Sequence, residues 1–138
     1  MNVPLLLLAD YANTTEDKKL NVMGIFTYIY STNFPTVHPQ MYVVAQLSAS
    51  PAEYGRKFKV RIKLLDADAT KEVVSIDGDG EVPTADNGQP AVMNFVISLV
   101  NLIFEKPGNY QFSLLIDNDE KAICPLDVIL VPAPTPME

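Results

Sequence analysis

Asp66, Asp68, Asp77, Asp79 and Glu81 are the side chains whose type and spacing come closest to a reactive or metal-binding centre. Calcium takes roughly six to eight oxygen ligands, and carboxylates on neighbouring loops are its usual source. Asp77-Gly78-Asp79-Gly80-Glu81 sets acids at alternate positions, but it lacks the spacing of an EF-hand loop and that loop's closing glutamate. Alternate acids on an extended chain also share one face, where they form a solvated acidic edge. The five acids are therefore a candidate calcium or small-ligand site, with an ordinary acidic surface as the alternative.

Two further groups could bind something. Lys57, Lys59, Arg61 and Lys63 alternate with Phe58, Val60, Ile62 and Leu64, so one side of this segment is cationic and the other apolar. Such a face could recognise an anionic surface. It could equally pair with acids on the returning strand, Glu72 and Asp77 foremost, and discourage edge-to-edge aggregation. Tyr28, Tyr30 and Phe34, with Tyr42 and Tyr54 nearby in sequence, make an aromatic group. Tyrosine buries area while keeping a polar handle, which suits either a contact surface or core and loop anchors.

Covalent catalysis finds no support in the spacing. The single histidine, His38, precedes a proline in what reads as a loop, and the single cysteine, Cys124, falls in the last apolar segment, where it reads as a small buried hydrophobe. A nucleophile needs a base within reach and a group to orient that base. No GxSxG, GxxxxGK[ST] or GxGxxG is present. The chain reads as non-enzymatic, with no cofactor.

The elements that would position these residues are strands. From Tyr110 the side chains alternate, with Phe112, Leu114 and Ile116 on the apolar face. Pro107-Gly108 ahead of them is a turn signal, and Asp117-Asn118-Asp119-Glu120 after them reverses the chain, because Asn and Asp tolerate the left-handed conformation of short hairpins. Gly108–Val131 thus reads as one hairpin, and Tyr110 as a tyrosine corner tying a crossing loop to the body. Upstream, Val3–Ala12 is apolar on both faces and pairs across the polar turn Asn13–Lys18 with one long strand, Leu20–Tyr30. Ser31–Gln40, with two prolines, reads as an irregular crossover between sheets. Met41–Ser48, Lys57–Leu65 and Glu72–Ile76 are strands, 77–90 reads as an acidic loop holding a short strand at 80–82, and Ala91–Phe104 is a strand. Pro125 places its strand at an edge or bulge. The fold class is all-β: an antiparallel sandwich of about eight strands, Greek-key, immunoglobulin-like or C2-like, with little or no helix. One domain spans 1–131, and 132–138 is a proline-rich flexible tail.

Composition narrows the partners. The chain has 138 residues and a net charge of −7, and an acidic protein is poorly suited to a phosphate backbone, so nucleic acid is not expected. One cysteine permits no internal disulfide and points to a reducing, cytoplasmic setting. MNVPLLLLAD lacks the basic start and small cleavage residues of a secretion signal, and no apolar run is long enough for a membrane span. The expected partner is another protein or a second copy, the apolar first strand being a plausible dimer contact.

LLLLADYA with KLNVMGIF, FPTVHPQMYVVAQL, and above all NFVISLVNLIFEKPGNYQFSLLID resemble a family of small, uncharacterised bacterial β-sandwich proteins, a domain of unknown function. The second strand departs from that resemblance in having no tryptophan, and Asp117-Asn118-Asp119 replaces a simpler glycine turn. The resemblance implies a sandwich fold and carries no activity.

Overall fold

The computed structural model describes residues 1–68 and 70–133. Nine strands run in order: β1 (Asn2–Thr14), β2 (Leu20–Phe26), β3 (Tyr28–Ser31), β4 (Thr36–Ala49), β5 (Lys57–Leu65), β6 (Glu72–Glu81), β7 (Ala91–Phe104), β8 (Gly108–Ile116) and β9 (Asp119–Leu130). Two single 3-10 turns, Pro51–Glu53 and Asp86–Gly88, are the helical elements among the described residues. The strands form a four-stranded sheet, β2-β1-β4-β7, and a five-stranded sheet, β3-β9-β8-β5-β6.

The all-β sandwich follows from alternation. Phe58, Ile62 and Leu64 of β5, Phe112, Leu114 and Ile116 of β8, and Leu126 and Val128 of β9 turn inward from the larger sheet. Leu8 of β1, Met41, Val43 and Leu47 of β4, and Leu99, Leu102 and Phe104 of β7 meet them from the smaller one. Each fully buried Leu or Phe contributes about 1.5–3 kcal/mol, so this shared layer is what joins the sheets.

The segment 20–30, read above as one strand, is two strands in different sheets. β2 pairs with β1, placing Phe26 beside Leu8, whereas β3 pairs with β9. The reason is phase. Phe26 and Ile29 both face the core, and residues three apart on one continuous strand point to opposite sides. The interruption at Thr27 lets each reach the same core from its own sheet, and it turns Tyr28 and Tyr30 to solvent. β3 is also parallel to β9, an exception to the otherwise antiparallel pairing.

β4 begins at Thr36, inside the stretch read as irregular, and pairs with β7 along its whole length. The crossover between sheets does occur, but it is confined to the residues between Ser31 and Thr36, including a cis peptide at Phe34-Pro35. β6 continues to Glu81, so Asp77, Asp79 and Glu81 are strand residues rather than loop residues. Pro125 lies where β3 does not reach, since β3 meets β9 only from Asp127 onward, and its missing N–H therefore interrupts no ladder there. Of the proline-rich tail, 134–138 lie outside the described residues.

Candidate functional site

The acids separate along β6 and its turn. Lys57, Lys59 and Arg61 on β5 stand directly opposite Glu81, Asp79 and Asp77 on β6. Arg61 Nε donates to Asp77 Oδ1 at 2.6 Å, and Lys63 Nζ lies 3.4 Å from Glu72 Oε1. The two charge groups are therefore the two halves of one cross-strand ladder. Between the acids, Gly78 and Gly80 occupy the inward positions, and a Cβ on Gly80 would come within 2.4 Å of the Phe58 ring. The glycines make room for a core aromatic.

The remaining two acids serve the β5–β6 turn. Asp66 Oδ1 accepts from the backbone N–H groups of Thr70 and Lys71 at 3.0 and 3.3 Å. Desolvation raises its pKa, but those two bonds together with the Lys106 charge and the Asp68 backbone hold the carboxyl below its ordinary value. Asp68 Oδ2 lies 3.4 Å from Lys106 Nζ. Among the described residues no three His, Cys, Asp or Glu side chains converge as a metal ion requires.

A shallow pocket beside the ladder is lined by Lys59, Arg61, Asp77, Asp79, Asp117 and Asn118. Arg61, Asp77 and Asp117 of this lining are already engaged within the protein. Asp117 Oδ1 accepts from the Lys59 backbone N–H at 3.0 Å, and Oδ2 pairs with Arg56 Nη2 at 2.8 Å. Those contacts, the Lys59 bond first, hold its carboxyl below the usual carboxylate range. Arg56 also pairs with Glu53, so one guanidinium ties the 3-10 turn after β4 to the β8–β9 hairpin.

The aromatic group divides between faces. Tyr28 and Tyr30 lie stacked and exposed on the five-stranded sheet, with ring centroids 6.3 Å apart, while Phe34 packs against the core. Tyr42 belongs to the other sheet and meets Tyr11 edge-on at 5.3 Å. The Tyr54 hydroxyl donates to the Gln89 carbonyl. Tyr110 is buried, and its hydroxyl donates to the Lys106 carbonyl at 2.7 Å. That bond spans the Pro107-Gly108 turn between β7 and β8, which belong to different sheets, and Gly108 lets the turn lie close against Ala67.

His38 is on β4, not in a loop, half-buried against Phe26, and burial lowers its pKa. Cys124 is in the core, and burial pushes its thiol up, away from the reactive thiolate.

The feature the site residues above do not include is the outer face of the four-stranded sheet. Register and alternation place Leu5, Leu7, Ala9 and Tyr11 of β1 there, together with Met23 and Ile25 of β2. Tyr42 and Val44 of β4 and Val92, Val96 and Val100 of β7 share that face. None of the apolar residues among them joins the cluster between the sheets, though Ala9 and Val44 are themselves fully buried. Met23, Ile25 and Val100 are 66, 63 and 61% exposed. The polar residues interspersed are Asn2, Asn13, Asn21, Gln40, Gln46, Ser48, Asn94 and Ser98, and no described residue of the face is Asp, Glu, Lys or Arg. The sequence signal for it is apolar runs without clean alternation, LLLL in β1, MYVVAQL in β4 and FVISLV in β7, which need cover on both sides.

Residues 4–129 match DUF6941, a family of unknown function. The chain belongs to that family. No curated protein matches it. Among solved structures, the fold is similar to part of the Pseudomonas fluorescens alkylpurine DNA glycosylase AlkC bound to DNA containing an abasic site analog. The TM-score is 0.52 at 9% identity, over 92% of this chain and 30% of that one. The chain thus spans about a third of the glycosylase, and the likeness concerns fold alone.

Proposed function

We propose that this member of DUF6941 is a non-enzymatic docking module whose contact surface is the outer face of its four-stranded sheet. One observation carries the reading: a broad apolar face free of charge, on a chain with 27 charged side chains. Its exposed apolar side chains, Tyr11, Met23, Ile25, Val92 and Val100, are of the kind that protein interfaces use. Separation supports the non-enzymatic part. His38 and Cys124 lie on strands of different sheets, both part-buried or buried, and the acids of the ladder face lysines and Arg61, with Asp77 and Glu72 in ion pairs. The partner is a protein rather than nucleic acid, because the cations of β5 already face anions and the chain is acidic overall. The setting is a reducing one, the cytoplasm, in which the lone buried thiol stays reduced.

Capture from native extract tests this with three baits: the wild type, the pair Ile25→Lys/Val100→Lys on the apolar face, and Lys59→Glu on the charged face. The expected result is a partner set lost with the first variant, kept with the second, at unchanged melting temperature. Capture of the same proteins by all three baits, or loss with Lys59→Glu alone, would overturn the reading.

A further inference from the structure

The occupant of this face follows from its chemistry. We infer that the outer face of the four-stranded sheet packs against the same face of a second copy, forming a two-fold homodimer of stacked sheets; this rests on the docking reading above and names its partner.

In a two-fold contact every patch meets itself or its own neighbours. A charge on such a face is brought near its own like, a repulsion that a different partner could relieve with an opposite charge and a second copy cannot. A face built for an unlike partner ordinarily carries charge for steering and register; this one carries none. Its polar residues fit the same logic. Tyr42 and Ser98 accept from Gln40 within the face and each keep a hydroxyl proton, which can be donated to a second copy.

The β5–β6 ladder adds no net charge against this approach. The four cations Lys57, Lys59, Arg61 and Lys63 balance Glu72, Asp77, Asp79 and Glu81 across the β5–β6 ladder, on the opposite side of the molecule.

Size agrees as well. β1, β4 and β7 are 13, 14 and 14 residues long. At about 3.3 Å per residue and about 4.8 Å between strands, with the shorter β2 added, the sheet offers roughly 700 Å² in projection. A standard interface buries about 800 Å² on each partner.

Sedimentation equilibrium of the purified chain between about 1 and about 200 µM tests the inference, a range that brackets micromolar dissociation constants. The expected result is a monomer–dimer equilibrium for wild type and Lys59→Glu, weakened at least about tenfold in Ile25→Lys and in Val100→Lys. Both substituted residues are more than half exposed, so folding is expected to survive. A measurement without mutation accompanies it: hydroxyl-radical oxidation of Met23 and Tyr11 should slow as concentration rises, with no change at Tyr28 and Tyr30. A wild-type chain that stays monomeric throughout, or a dimer indifferent to both lysines, overturns the homodimer. In the first case the capture experiment still decides separately whether the face docks another protein.

Discussion

At the scale of single residues, strength comes from a few satisfied polar contacts and a few close approaches. Tyr110→Phe keeps the ring that meets Phe104 edge-on at 5.1 Å and removes only the hydroxyl bond to Lys106. The loss should be about 1 kcal/mol in denaturant unfolding, with the core unchanged. Gly80→Ala acts through volume. The added methyl would drive into the buried Phe58 ring, and a cost of about 1–3 kcal/mol is expected, against a far smaller one for Gly78→Ala, whose Cβ would meet Val60 at an ordinary 3.5 Å. Asp117 supplies a pH dependence. Its carboxyl titrates below its ordinary value in the folded chain, so its contribution is complete above about pH 3.9 and is lost as pH falls through the lower folded value. The stability gap between wild type and Asp117→Asn should therefore shrink on acidification from neutral pH toward about pH 3; a gap constant across that range would contradict the assignment. These residues were legible in sequence to different degrees. Tyr110 announced itself by following Pro-Gly at a strand start, whereas the glycines of β6 imitated a loop because nothing local reveals that Phe58 needs the space.

Strands and turns were read best where one face is apolar and the other polar. β5 and β8 alternate, so their faces and bounds follow from period two alone. The β8–β9 hairpin was equally plain: Asp117 and Asn118 both adopt positive φ, 51° and 66°, the geometry of a type I′ turn. Asn118→Gly should stabilise this hairpin by roughly 0.5–1 kcal/mol, since glycine takes that conformation without Cβ crowding. Thermal unfolding checks it, and a lowered midpoint would show that the Asn118 side chain contributes more than its backbone costs. β2 and β3 misled because a one-residue change of phase is invisible where Tyr, Ile and Phe are apolar enough to suit either side. β4 and β7 hid their outer face for the same reason, being apolar on both sides, so that period two could not say which half was covered.

For the molecule as a whole, what could not be read was which apolar residues stay uncovered once two sheets have closed on each other. Leu5 and Leu7 stood out in the sequence, but Met23, Ile25 and Val100 join them only through the register of β2, β1, β4 and β7. A contact made by that face has a recognisable signature. Because it holds no charge, its dissociation constant should change less than about twofold between 50 and 500 mM sodium chloride, whereas an interface made by the β5–β6 ladder would weaken with screening. Sedimentation at the two salt concentrations separates these cases. The turns that flank the sheets are laced by ion pairs, Asp17 with Lys19, Asp68 with Lys106, Asp117 with Arg56 and Asp119 with Lys121. The sandwich is in this sense one-sided: one copy can lie flat against another on the uncharged face, but the far sheet offers a charged ladder instead of a second such face, so the contact closes as a pair and does not propagate into a fibre.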